Sequence, residues 1–140
     1  MPEVKQTWFD RKKTVYETPP EIFEPLDAEF NFNLDVCAIA ENAKCDKFFT
    51  PDDDGLEKEW NGVCWMNPPF GREMKKWVKK AYTEWKNGCT VVALLPARTN
   101  TLWWHDWVME GDVRFIKGEV KFVGYDRGLW MPMAIVVWEA

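Results

Sequence analysis

The 140-residue sequence has few of the residues that build metal centres. It contains one histidine and four cysteines, and no two cysteines lie two to four residues apart. Structural zinc sites normally use such close ligand pairs, so the sequence predicts no metal site. Three of the cysteines stand among apolar residues, which predicts reduced, mostly buried thiols in a cytoplasmic protein.

Long apolar stretches are also missing. No segment approaches the ~18–20 consecutive apolar residues that a membrane span requires, and the first residues lack the apolar core of a secretory signal. We therefore expect neither a membrane span nor export. The 46% apolar and 29% charged residues predict a single compact domain over residues 1–140.

Basic residues are outnumbered by acidic ones, 18 to 23, but the two signs are separated along the chain. Residues 17–59 carry thirteen acidic and three basic side chains, whereas residues 72–86 carry six basic and two acidic ones. An acidic protein can bind a polyanion when one face is basic; a solvated helix face is the alternative interpretation. The candidate phosphate contacts are Arg72, Lys75, Lys76 and Arg98.

Strand and helix patterns alternate, which predicts an α/β fold with a mixed, mostly parallel sheet and a C-terminal antiparallel hairpin. Thr18 is expected to cap a first helix beginning at Pro19, with Glu21 completing a capping box. A helix capped by Asn100 or Thr101 is expected to bury Leu102, Trp103, Trp107 and Val108. Further elements are predicted at Phe32–Cys37, Gly62–Met66, Met74–Trp85, Thr90–Leu95, Val113–Ile116, Val120–Val123 and Ala134–Trp138.

Two unusual loops are predicted at the carboxyl ends of strands, where α/β sheets bind ligands. The first is Asp35–Ala38. The second begins with Asn67, Pro68, Pro69 and Phe70, and two consecutive prolines prevent the strand from continuing.

The second loop suits a planar heterocycle that carries an exocyclic amine. The Asn67 side-chain oxygen and the Pro68 carbonyl can each accept one N–H, which aims the amine lone pair at an electrophile. Phe70 can stack on the ring, a contact worth about 1–3 kcal/mol. Such chemistry needs orientation more than a strong base. The structural alternative is a proline-rich turn with Phe70 packed inward.

These four residues resemble the Asn-Pro-Pro-Phe/Tyr catalytic motif of S-adenosylmethionine-dependent amino-methyltransferases. The sequence as a whole resembles the small phage-type DNA N-6-adenine methyltransferase family over about residues 16–138. The segments that carry the resemblance are Thr18–Pro20, Leu34–Ala38, Glu41–Cys45, Trp65–Arg72, Leu95–Thr99 and Ile116–Gly118.

The resemblance implies a Rossmann-like methyltransferase fold, S-adenosylmethionine as cofactor and double-stranded DNA as partner. It implies transfer of a methyl group to N6 of a flipped adenine, in a bacterial cytoplasm and with a phage or prophage origin; a monomer is compatible with it. Asn67, Pro68, Pro69 and Phe70 would hold the adenine, and Phe122 would stack on its other face. The cofactor would lie against Thr18, Pro19, Asp35, Cys37, Ala38 and Asp54.

The sequence departs from these patterns in two places. Residues 38–41 lack the glycine-rich turn of methyltransferases in general, a lack that the phage-type family shares. Glu119 stands where the family pattern leads us to expect arginine, which removes a possible phosphate contact. Two other functions stay open, a protein glutamine amide methyltransferase and a non-catalytic methyltransferase-like module that binds DNA. The basic segment favours DNA, and the intact motif favours catalysis.

Overall fold

The computed structural model describes residues 16–140, which form three layers with a five-stranded sheet between helices. No helix within these residues is long and apolar enough to cross a membrane. The strands are β1 (Leu34–Asp35), β2 (Val63–Met66), β3 (Thr90–Pro96), β4 (Asp112–Phe115) and β5 (Met133–Trp138). The helices are α1 (Pro20–Phe30), α2 (Met74–Lys86) and α3 (Leu102–Asp106), with 3₁₀ turns at Gly55–Glu57 and Val108–Glu110.

The sheet has the strand order β1-β2-β3-β5-β4. β1, β2 and β3 are parallel, and β5 is antiparallel to both of its neighbours. The α/β class and the mixed sheet are confirmed, but the expectation of a mostly parallel sheet is wrong, because β5 inserts between β3 and β4. The expected strand Val120–Val123 is also wrong: Val120 makes only an isolated bridge to Leu129, and the partner of β5 is β4.

The alternation of side chains along the strands creates two cores, one on each face of the sheet. Trp65 of β2 faces α1 and packs edge-on against Phe23 at 5.2 Å between ring centroids. Cys64 and Met66 point to the opposite face, where they join α2 through residues such as Trp77. β3 reads as a continuous apolar run because both of its faces are covered.

The beginning of α1 differs from the prediction. The N-cap is Pro19, which makes no side-chain hydrogen bond, and the helix begins at Pro20. Thr18 is buried and uses its hydroxyl elsewhere, as a partner of Asn67. The predicted capping box is therefore wrong, because a tertiary contact takes the oxygen that a cap would need.

α3 is shorter than predicted, and the predicted apolar residues are buried only in part: Val108 is buried, Trp103 and Trp107 pack against the core, and Leu102 does not. Thr101 is its cap, since the hydroxyl accepts a hydrogen bond from the Trp104 amide at 3.2 Å. Leu102 is 79% exposed and Trp104 is 2% exposed, so the expectation of a buried Leu102 is wrong. Only five residues are helical, too few for a 3.6-residue periodicity to identify the buried side.

One buried glutamate connects α2 to the segment that precedes β2. Glu84 accepts a hydrogen bond from the Trp60 amide at 3.2 Å and pairs with Lys80 at 2.7 Å. The Trp60 indole N–H in turn donates to the Gly55 carbonyl at 2.9 Å. Because a buried amide without an acceptor is costly, Glu84 holds this connection in place.

We predict that Glu84→Ala lowers the free energy of unfolding by about 2–4 kcal/mol, since it leaves the Trp60 amide and the Lys80 ammonium uncompensated. The exposed Glu110 is the matched control, and Glu110→Ala should change stability by less than about 0.5 kcal/mol. Urea unfolding of the two variants measures the difference. Equal losses would contradict the structural role of Glu84.

Candidate active site

The shared direction of four strands places the loops that carry candidate site residues at one edge of the sheet. β1 to β3 are parallel, and β4 runs the same way because both β3 and β4 are antiparallel to β5. The loops after these strands therefore emerge at one edge, as the α/β fold predicts for a ligand site. The segment 16–18 lies against the loop that begins with Asn67.

Asn67 is held by two acceptors from that segment. Its side-chain Nδ2 donates to the Tyr16 carbonyl at 2.6 Å and to the Thr18 hydroxyl at 3.0 Å. A carbonyl can only accept, so the amide orientation is determined by its surroundings. The other end of the amide, Oδ1, accepts no hydrogen bond from residues 16–140, so it can accept one from an incoming N–H donor.

A narrow cleft lies beside Asn67. Among the sequence-predicted residues, the structure brings Thr18, Cys37, Asn67, Pro68 and Pro69 to its walls. The remaining lining residues, which sequence reasoning did not identify, are Tyr16, Glu17, Asn42, Lys44 and Trp65.

An ion pair spans this cleft. The Lys44 ammonium lies 3.1 Å from the Glu17 carboxylate, and both side chains are largely shielded from solvent. Lys44 also lies 5.9 Å from the centre of the Phe23 ring. The cleft therefore presents one cation and one anion side by side.

Asp35 does not line the cleft, but it binds the backbone of two residues that do. Its two oxygens accept hydrogen bonds from the amides of Cys37 at 3.2 Å and Lys44 at 3.0 Å, closing the loop between them. Burial raises the pKa of Asp35 from 3.8 to about 6, although both amides oppose the shift. Burial, with the nearby Asp35 charge, also raises the pKa of the Cys37 thiol well above its usual range, so this cysteine stays protonated and is no nucleophile.

The other predicted cofactor residues, Pro19, Ala38 and Asp54, do not line the cleft. Pro19 is buried next to Thr18, and the Ala38 amide donates to the Phe49 carbonyl at 3.0 Å. Asp54 caps the 3₁₀ turn at Gly55–Glu57 by accepting from the Leu56 amide at 3.2 Å. Its carboxylate therefore has a local structural role in this conformation.

Phe70 and Phe122 belong to an aromatic cluster around the Tyr16 ring. The Phe70 and Phe122 rings are 6.4 Å apart and nearly perpendicular, at 85°. Phe122 is 2% exposed. Both rings also contact the Tyr16 ring, at 4.8 and 5.1 Å.

Comparison with known proteins identifies the family. The family described as DNA N-6-adenine-methyltransferase (Dam) matches residues 5–130 of the chain. This chain belongs to that family. The resemblance noted from the motifs is thereby confirmed, and the chain is an adenine-N6 DNA methyltransferase by family.

Two phage proteins are among the relatives of this DNA N-6-adenine-methyltransferase. The chain is 34% identical over 121 residues to a DNA N-6-adenine-methyltransferase of Haemophilus phage HP1, covering 83% of this chain and 70% of the phage protein. It is 32% identical over 97 residues to a DNA N-6-adenine-methyltransferase of Escherichia phage T1. That match covers 67% of this chain and 40% of the phage T1 protein.

The candidate phosphate contacts of this methyltransferase lie near the same edge. Arg72, Lys75 and Lys76 are exposed at the beginning of α2, directly after the Asn67 loop, and Arg98 is exposed after β3. Lys76 lies 3.7 Å from Glu73 in an exposed pair. Such a pair is worth little, so this lysine can exchange partners with a polyanion at small cost.

Sequence reasoning missed Tyr16, Glu17 and Lys44. Glu17 was visible as the residue before Thr18, and Lys44 lies within one of the resembling segments. Neither has a spacing that predicts an ion pair across 27 residues. Tyr16 acts through its main-chain carbonyl, which every residue type has, so no sequence pattern could identify that contact.

We predict an unusual pH dependence for the stability contributed by Asp35. Because the folded protein binds the Asp35 proton more tightly than the unfolded chain does, this group stabilises the fold less as the pH rises from 3.8 to about 6. The stability of wild type relative to Asp35→Asn should therefore fall across that range. Urea unfolding at a series of pH values measures it.

Asp53→Asn is the control with the opposite sign. Hydrogen bonds from Thr50 lower the pKa of the exposed Asp53, so the stability of wild type relative to this variant should fall as the pH decreases. A wild-type advantage over Asp35→Asn that stays constant or grows with pH would contradict the raised pKa that burial gives the Asp35 carboxyl group.

Proposed function

We propose that this chain transfers the methyl group of S-adenosylmethionine to the exocyclic amine of an adenine flipped out of duplex DNA. The observation that carries the proposal is the Asn67 amide, whose Nδ2 donates to Tyr16 and Thr18 and leaves Oδ1 to accept from a new donor. Family membership supports the reaction class.

The charges of the cleft suit this cofactor. Its amino-acid end carries one carboxylate and one ammonium group, and Lys44 and Glu17 offer the opposite charges side by side. Thr18, Cys37 and Trp65 would border the rest of the molecule. In this conformation the cleft has about 20 Å³ of free space, room for roughly one water molecule, so we expect the cleft to widen and the Lys44–Glu17 pair to separate on binding. When bound, S-adenosylmethionine supplies an electrophilic methyl group on a sulfonium centre.

The chain's own task is to orient the adenine amine. Asn67 Oδ1 would accept one N–H and the Pro68 carbonyl the other, which directs the nitrogen lone pair away from the protein acceptors. Pro69 stiffens the loop that presents them, and Phe70 would stack on the base. Positioning of this kind lowers a barrier without a strong base. Asp35 is not that base, because both of its oxygens are bound to backbone amides.

DNA binding would use the edge of the sheet. Arg72, Lys75, Lys76 and Arg98 would contact phosphates near the flipped base, offsetting part of the few kcal/mol that flipping costs. The three-layer arrangement supports a Rossmann-like fold in one domain, with the target sequence recognised by loops at this edge. The two phage relatives support a phage or prophage protein that works in the bacterial cytoplasm.

We predict that wild-type protein transfers labelled methyl from S-adenosylmethionine to unmethylated duplex DNA, and that the label is recovered as N6-methyladenine. Asn67→Ala should lower kcat by about 100-fold or more, comparable to the loss of one preorganised hydrogen bond at a reacting centre. The exposed Asn87, at the end of α2 and away from the cleft, is the matched control. Asn87→Ala should retain wild-type activity.

The same assay separates the alternatives. Label in protein glutamine and none in DNA would replace the proposed substrate. Cofactor binding by folded wild-type protein without methyl transfer would point to a non-catalytic module.

We further predict that Thr18→Val lowers kcat by roughly tenfold, since it removes one of the two acceptors that orient Asn67. Thr18→Ser keeps the hydroxyl oxygen and should retain most of the activity. Steady-state kinetics with saturating DNA, together with urea unfolding, distinguishes this from a loss of stability. Equal activity of the two variants would show that the Tyr16 carbonyl alone orients the amide.

A further inference from the structure

The Tyr16 ring lies inside a cluster of three other aromatic rings. Its centroid is 4.8 Å from that of Phe70, 5.1 Å from Phe122 and 5.3 Å from Tyr125. These contacts are in the range of favourable ring–ring packing. Tyr16 is half-buried, and burial raises the pKa of its hydroxyl. The ring is thus a packed part of the site.

The cluster leaves no slot for a base in this conformation. A base between two parallel rings needs them about 7 Å apart, twice the contact distance of carbon atoms. Phe70 and Phe122 are 6.4 Å apart and nearly perpendicular. The ring at stacking distance from Phe70 is that of Tyr16, tilted by 40°.

Tyr16 also lines two cavities. The first is the cleft of Asn67, and the second is a larger cavity of about 380 Å³ that is also lined by Phe122, Tyr125 and the segment Asp126–Leu129. The larger cavity is open space into which a side chain can move. Rotation of the Tyr16 side chain about its Cα–Cβ bond would move the ring and leave its carbonyl on Asn67.

We infer that the Tyr16 ring occupies the place of the target adenine in the DNA-free protein and leaves that place when the base enters. The inference rests on the proposed function and adds a residue that determines base entry. Through its carbonyl, the same residue keeps the Asn67 amide oriented while the ring moves. The base must displace an aromatic side chain, so the apparent affinity for DNA is reduced by the fraction of molecules whose ring is displaced.

Fluorine NMR can follow the ring directly, because the chain has only three tyrosines, Tyr16, Tyr82 and Tyr125. Protein labelled with 3-fluorotyrosine would be assigned with Tyr→Phe variants. The probe is a short duplex carrying the site mapped from methylated DNA, added with S-adenosylhomocysteine. We expect the Tyr16 resonance to move towards its frequency in unfolded protein and the Tyr82 resonance to stay. A Tyr16 resonance unchanged at saturating duplex overturns the inference.

Kinetics supplies the second test. Tyr16→Ala should raise kcat/KM for DNA about threefold or more, mainly through a lower KM, because the competing ring is gone. Tyr16→Phe keeps a ring and should not show this gain in kcat/KM. Tyr82→Ala removes the same atoms from α2, outside both cavities, and should not change kcat/KM. A decrease or no change in Tyr16→Ala overturns the inference.

The wild-type arm keeps the two proposals distinct. If wild-type protein methylates adenine in DNA while Tyr16→Ala shows no gain, the proposed function stands and the role of Tyr16 is wrong. If wild-type protein transfers no methyl group to DNA, the proposed function fails, and the inference that rests on it fails with it.

Discussion

The hydrogen bonds from Asn67 Nδ2 to the Tyr16 carbonyl and the Thr18 hydroxyl are the contacts on which the site depends. They join segments 49 and 51 residues apart in the chain. They fix which end of the amide is left to accept a hydrogen bond, and they hold the segment before α1 against the loop after β2. Without them, the loop would still form after the strand, but its amide could present either a donor or an acceptor.

The distribution of charge explains how an acidic chain can serve a polyanionic substrate. The acidic half provides structural carboxylates, such as Asp35 under the loop after β1 and Glu17 across the cleft. The basic residues at the beginning of α2 follow the Asn67 loop directly, so positive charge is local to the edge that carries the candidate site. Net charge influences long-range association, whereas local charge decides which face meets the nucleic acid.

The elements that sequence patterns predicted well are those governed by local rules. α2 was predicted as Met74–Trp85 and is Met74–Lys86, because its apolar residues recur over three turns. β3 was predicted from its continuous apolar run and extends by one residue. The errors arose where a distant residue decided the outcome: Thr18 gave its hydroxyl to Asn67, and β5 paired with β3 and β4 rather than with residues 120–123.

The sequence by itself determined the family, the α/β class and the four residues Asn67–Phe70, since a motif and its order along the chain are local properties. Tertiary structure alone decided the strand order, the Lys44–Glu17 ion pair and the position of the Tyr16 ring among Phe70 and Phe122. These depend on which distant surfaces meet once the two faces of the sheet are buried. A main-chain carbonyl leaves no mark in the sequence, so the partner that orients Asn67 becomes visible only when the chain is folded.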